Sequence, residues 1–374
     1  MKGLWLVTLS LALAACSSAP EKPKPTSLTK LATPLEMRVV ERLRLGGDRD
    51  LNGLAPAVDQ AVIAAAGSEG RVVLVNSGLT ATWDVNLKTG VIGGVGIGPN
   101  AVFLVTQDGQ LIGLSRADGS EVLRVSLPSA SNVPPLANDA LVFVKTHSGQ
   151  VMAFDAATGD LVWFEEVAEA MMGIQGGAPM VLENGILHIL WESGRLVSYE
   201  AASGRIIWER QVALPRGRNP VSRIVDSKGA PSLRNGLIAT ASRNSQVSVL
   251  DAQSGQLLWS AEANAYPGAV LAFNAVIAVE TDGTVVAYSA QTGETLWAQT
   301  GLKFRELSPP AVADTAIAVV DLEGYVHLLN PADGALMGRV RVSSAKGQVA
   351  PVMTAGGLLI QTVDGTLSLV EWPR

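Results

Sequence analysis

This chain has little of what most enzymes use for chemistry. Its 374 residues hold one cysteine, Cys16, and three histidines, His147, His188 and His327. A single cysteine excludes an internal disulfide framework and any paired-thiol redox centre. The histidines are scattered, with no partner at zinc-ligand or triad spacing, and read as ordinary strand residues. No GxSxG, HExxH or P-loop pattern occurs, so the hydrolase, metalloprotease and nucleotide readings have no support, and neither a cofactor nor a metal is expected. Only 17% of residues are charged and the formal net charge is -6. Without a Lys/Arg cluster, the chain lacks the basic surface that a nucleic-acid backbone demands, and no nucleic-acid partner is expected.

Long apolar runs are also missing. The run LWLVTLSLALAA at 4–15 is too short to cross a bilayer. Preceded by Lys2 and ending in small residues, it predicts a secretory signal over residues 1–15. Leu13, Ala14, Ala15 and Cys16 resemble a bacterial lipoprotein box. That resemblance implies that Cys16 becomes the acylated, palmitate-bearing first residue of the mature chain, bound to the membrane by its lipid. With Ser17 where an inner-membrane retention signal usually carries Asp, the same resemblance to lipoproteins implies the outer membrane, at its periplasmic face. Residues 16–35, with Pro20, Pro23, Pro25 and Pro34, read as a lipidated flexible tether ahead of a folded region over 36–374.

What is abundant is repetition. SGQVMAFDAATGDLVW, ending at Trp163, has siblings ending at Trp208, Trp259 and Trp297. Aligned on the first turn of each copy, the marks fall at Gly70, Gly109, Gly149, Gly194, Ser245, Gly283, Gly324 and Gly365, in steps of 39, 40, 45, 51, 38, 41 and 41. A period near forty with four strand-like runs predicts an all-β, eight-bladed propeller of four-stranded antiparallel blades. Ala-Pro or Pro-Pro pairs mark the first strand at Pro56, Pro135, Pro179, Pro231, Pro310 and Pro351, where proline removes no ladder bond. Asn-Gly pairs after Glu183 and Arg234 predict tight hairpins. The last repeat stops nine residues past Gly365, while EMRVVERLRL at 36–45 is a strand without a blade. We expect this segment to supply the outer strand of the eighth blade and close the ring, with Met37, Val39, Leu43 and Leu45 on one face under period-two alternation.

The recurrent tryptophans, including Trp83 in the first copy, read as wedges between blades rather than a binding surface. Asp-x-x-Thr-Gly turns offer one carboxylate each, too few for a hard cation, and read as turn stabilisers. GGVGIGPN, around Gly94, leads into a strand with no helix to hold a phosphate, and is expected to be a loop joining two blades. The connections between blades differ in length. Leu123 to Pro135 is 12 residues and Trp297 to Pro310 is 13, whereas Trp163 to Pro179 is 16 and Trp208 to Pro231 is 23. These connections share one face of a propeller, so the two longest are neighbours and mark a candidate binding surface. The longer one sets Arg216, Arg218, Arg223, Asp226 and Lys228 around Ile224 and Val225, a mixture suited to a protein partner.

The pattern A-x-D-x-x-T-G-x-x-x-W, present as AFDAATGDLVW at 153–163, is shared with quinoprotein dehydrogenases and their non-enzymatic relatives. Joined to a lipoprotein signal, eight such repeats and the closing segments DLEGYVHLLNPADG and LLIQTVDGTL, it resembles the BamB family over essentially the whole mature chain. The resemblance implies a non-catalytic periplasmic scaffold that binds the POTRA domains of the barrel subunit BamA. It also implies company with the other lipoproteins of the BAM complex and with unfolded outer-membrane proteins. The family's two partner loops carry Leu-x-Leu-Arg-Gly and Arg-Leu-x-Asp-x-Asp patterns. Here the first falls on Met172, Ile174 and Gln175, with glutamine replacing arginine. The second falls on Arg223, Ile224, Asp226 and Lys228, with lysine replacing the second acid. The alternatives are a propeller lipoprotein serving another envelope partner, and a pyrroloquinoline-quinone dehydrogenase. The latter usually carries an adjacent cysteine pair that this chain lacks.

Overall fold

Four strands in antiparallel order, repeated eight times, account for every strand of the computed structural model, which describes residues 23–47, 54–167, 177–214, 224–347 and 349–373. We letter the strands of a blade A to D from the ring's centre outward. Blade 3 is typical, with strands at Leu136–Ala137, Leu141–Lys145, Gln150–Asp155 and Leu161–Glu166. The D strands of blades 4 to 7 are Ile206–Gln211, Leu257–Ala263, Thr295–Gln299 and Leu336–Arg341. Because successive strands reverse direction, the A–B and C–D turns share one face of the ring. The B–C turns and the D–A connections to the next blade share the other. B strands such as Val142–Val144 and Val276–Val279 are fully buried, since a neighbouring blade covers each side. At the A–B turns Asn184, Gly185, Asn235 and Gly236 all take positive φ, as such hairpins require.

The tryptophans lock blade to blade. Trp163 donates its indole N–H to the Ala201 carbonyl of the next blade at 2.9 Å, and Trp83, Trp208, Trp259 and Trp297 do the same to Arg116, Ala252, Ala290 and Pro331. Each indole also lies flat on the glycine of that turn. A Cβ on Gly204, already at φ 73°, would stand 2.7 Å from the Trp163 ring. Blade 2 has Leu123 at this position and blade 7 has Gly338.

The eighth blade takes its D strand, Arg38–Arg44, from the amino-terminal end of the chain, paired with Thr366–Glu371. Its place in the ring follows the expectation, but its facing does not. In the other seven blades one residue bulges out of strand D just before the tryptophan position. The borrowed strand reproduces that bulge between Val39 and Glu41. One extra residue inverts the alternation beyond it. Met37 and Val39 therefore pack toward blade 7, whereas Leu43 and Leu45 pack toward blade 1.

Two further segments depart from expectation. GGVGIGPN is no loop between blades, because Val91–Ile97 is strand A of blade 2. Where inner strands converge, backbones come too close for side chains. A Cβ on Gly96 would meet the Pro135 carbonyl at 2.2 Å, and one on Gly93 the Ser131 carbonyl at 2.8 Å. Ahead of strand Arg38–Arg44, residues 26–35 lie against the ring. The Thr26 amide donates to the Lys303 carbonyl at 3.0 Å, the Leu35 amide donates to the Met337 carbonyl at 2.8 Å, and Leu28 packs into the core between blades 6 and 7. His147 lies in a B–C turn rather than a strand, held 2.7 Å from the Asn132 side chain.

Candidate partner-binding face

The two long D–A connections flank blade 4 on the face that carries the B–C turns. Among the described residues a recurrent bond ties six of the connections to that face: an amide of the B–C turn donates to a carbonyl of the connection preceding its blade. It is seen from Gln107 to Gly90, His147 to Ala130, Arg243 to Asp226, Thr281 to Asn264, Leu322 to Arg305 and Val363 to Lys346, at 2.7 to 3.1 Å. The connection from blade 4 to blade 5 leaves with Val212, whose carbonyl accepts from Gln246 and Ser248, and with the exposed Leu214. It returns at Ile224, whose carbonyl accepts from the Asn244 side chain, and at Lys228, whose amide donates to the Tyr266 carbonyl at 2.9 Å. Residues 215–223, with Arg216, Arg218 and Arg223, lie outside the described residues.

Asp226 is therefore more than a surface charge. Only 2% exposed, it sits at the point where its own carbonyl pins the returning chain to blade 5. Ile224 and Lys228 on either side are half-buried. Val225 between them is buried, and the neighbouring Arg243 guanidinium lies 5.6 Å over the Tyr266 ring. The apolar and cationic side chains at 214, 224 and 228 are thus what this stretch offers outward.

The other long connection returns to the ring over a buried ion pair that sequence reasoning missed. Lys145, ending strand B of blade 3, is 3.0 Å from Glu192 in the B–C turn of blade 4, donates to the Leu190 carbonyl at 3.1 Å and lies 5.1 Å over the Trp191 ring. A Cβ at Gly177 would fall 1.8 Å from the Glu192 carboxylate and 2.3 Å from the Lys145 ammonium. Glycine there lets the returning backbone lie directly on the pair. Ala178 and Met180 then enter the core. Met172, Ile174 and Gln175 lie outside the described residues. The only hint in the sequence was a lysine closing an apolar run, one repeat ahead of a glutamate in the matching turn.

A second buried cluster lies at blade 7. Arg305 donates to Asp321 at 2.7 Å and pairs with Glu323, and Asp321 also bonds His327 at 2.9 Å. Burial alone would raise the Asp321 carboxyl, but hydrogen bonds from His327, the Tyr325 amide and Arg305 hold it below the usual carboxylate range. Burial pushes the His327 imidazole down. Arg305 turns a further N–H outward to the Thr26 carbonyl, so this cluster is a structural anchor for the incoming chain. Among the described residues no three His, Cys, Asp or Glu side chains are grouped to hold a metal.

The family model for "Outer membrane protein assembly factor BamB" matches residues 68–299 and 281–371. The outer membrane protein assembly factor BamB of Pseudomonas aeruginosa is 34% identical over 367 residues, covering 97% of this chain and 96% of its own. The crystal structure of BamB from Moraxella catarrhalis superposes with a TM-score of 0.80 at 27% identity, over 91% of this chain and 98% of that one. A quinohemoprotein alcohol dehydrogenase from Comamonas testosteroni superposes with a TM-score of 0.65 at 12% identity, over 90% of this chain and 78% of that one. The latter likeness is one of fold alone.

Proposed function

The chain belongs to the BamB family of outer membrane protein assembly factors, and from that premise we propose that it is a non-catalytic scaffold lipoprotein of the β-barrel assembly complex. Cys16 carries the lipid that holds it to the periplasmic face of the outer membrane. The face flanking blade 4 receives the POTRA domains of the BamA-like barrel subunit, alongside the complex's other lipoproteins and unfolded outer-membrane proteins. The observation that supports this reading best is the pairing of the two longest connections on one face, with the second pinned to the ring where it leaves and where it returns. A loop held at both ends loses less entropy on binding than a free one, so its interactions convert more fully into affinity.

Within this reading Ile224 and Arg223 touch the partner, Lys228 lies at the edge, and Asp226 sets the loop's position. The first connection contributes Met172, Ile174 and Gln175. Arg223→Glu with Ile224→Asp should therefore abolish co-purification of the barrel subunit from detergent-solubilised membranes. Removing a central anchor residue costs about 2 kcal/mol or more, which corresponds to roughly thirty-fold weaker binding. Asp226→Asn, which keeps the shape of the side chain, should weaken capture less. Undiminished capture by the folded double variant would move the interface to the connection carrying Met172 and Ile174. Failure of the wild type to capture the subunit would overturn the reading.

A further inference from the structure

Strand D of any blade runs from the C–D face to the D–A face. The borrowed strand of blade 8 therefore starts, at Arg38, on the face opposite the long connections. A chain that simply hung from Arg38 would leave the ring on that wrong side. It does not hang there. From Leu35, bonded to Met337 at the start of blade 7's outer strand, the chain climbs blade 7's outer wall. The Arg339 guanidinium grips the Thr29 carbonyl on the way. The climb ends at Thr26, whose amide donates to the Lys303 carbonyl at 3.0 Å and whose carbonyl accepts from Arg305 at 2.9 Å. Lys303 and Arg305 lie in the D–A connection between blades 6 and 7, on the same face as the long connections.

Three features make this a built path. Leu28 and Leu35, both partly buried, pack against the cores beside blade 7, while the residues between them stay largely exposed. Arg305 is itself immobilised by the buried Asp321. Blade 7 carries Gly338 where most blades carry tryptophan, and a Cβ there would stand 3.1 Å from both the Leu35 carbonyl and the Met37 sulfur. The missing indole leaves the space that the amino-terminal segment fills.

We infer that residues 26–35 form a strap that decides which face of the ring the lipid anchor leaves from, turning the D–A face at blades 6 and 7 toward the lipid surface. This rests on the reading that Cys16 is the anchored residue. Ten residues separate Cys16 from Thr26, and 22 separate it from Arg38. At full extension these span about 35 Å and about 75 Å. The strap thus halves the leash and moves its attachment across the ring.

The sole cysteine allows a test independent of both cellular acylation and the barrel subunit. The chain from Cys16 onward, which retains every blade, is coupled through that thiol to maleimide-headgroup lipid in phosphatidylcholine vesicles containing an acceptor dye. A fluorescent amino acid replaces either the exposed Ser344, on the D–A face beside blade 7, or the exposed Ala332, in its C–D turn. With the natural strap, energy transfer to the vesicle should be at least twofold greater from position 344. Leu28→Asp, and separately a Gly-Ser replacement of residues 26–34 of equal length, should abolish or reverse that order while the ring still melts cooperatively. Equal or greater transfer from position 332 in the natural chain would overturn the inference. So would an order unchanged in both strap variants. Neither result bears on whether the loops flanking blade 4 bind the barrel subunit.

Discussion

His188 shows what burial does to a histidine inside a strand. It is 2% exposed, with Nδ1 2.6 Å from the Ser198 hydroxyl and its ring 6.0 Å from that of Trp208. Burial pushes its imidazole down to about 4. The unfolded chain takes up that proton near 6.5. The neutral, buried ring therefore favours folding fully above about pH 6.5, and the benefit declines as pH falls toward 4. The loss over that window is up to about 3 kcal/mol. Thermal unfolding followed from pH 7 to 4 should show a falling midpoint, and His188→Leu should flatten that slope. An unchanged slope would assign the acid sensitivity to other groups. A histidine on an apolar run pointed to the strand. The serine opposite it, ten residues away, could be paired with it only once the register was known.

At the scale of the strand, the indole wedge and its glycine form one device shared between neighbouring blades. Trp163→Ala removes a 9% exposed ring and leaves the Ala201 carbonyl without its donor, which should cost about 3 to 5 kcal/mol. Gly204→Ala should be similarly damaging through both its left-handed backbone and its clash with the same ring, and the double variant should cost less than the sum. Denaturant unfolding of the four proteins measures the coupling, and strict additivity would break the device apart. Such elements were legible because they recur: four tryptophans at one offset announce the wedge. The bulge at Val40 was not. Alternation in EMRVVERLRL reads equally well with or without an extra residue, and only the ladder with Thr366–Glu371 distinguishes the two. The glycine-rich strand Val91–Ile97 was hidden for a related reason. Its glycines answer to carbonyls of the next blade, which no local pattern displays.

At the scale of the whole molecule, the ring depends on strand Arg38–Arg44 standing in for a missing outer strand. Deleting Val40 should turn Met37 and Val39 away from blade 7 or Leu43 and Leu45 away from blade 1. Two misplaced apolar side chains imply a loss of about 3 to 6 kcal/mol, read as a lowered unfolding midpoint. A midpoint within a degree of wild type would mean that the bulge is dispensable. The architecture as a whole was readable from period and count. The docking of residues 26–35 was not, because prolines and exposed polar residues describe a free tether and a seated strap equally well. Closure also sets a timetable. Arg38 pairs with Glu371, 333 residues further on, so at roughly 5–20 residues per second a ribosome needs some 20–70 s to supply the partner after the first strand is made. Throughout that interval the first strand has only water or a chaperone to satisfy its amides. The newborn chain is thus itself a client for protection against stray β-pairing before it can serve any other.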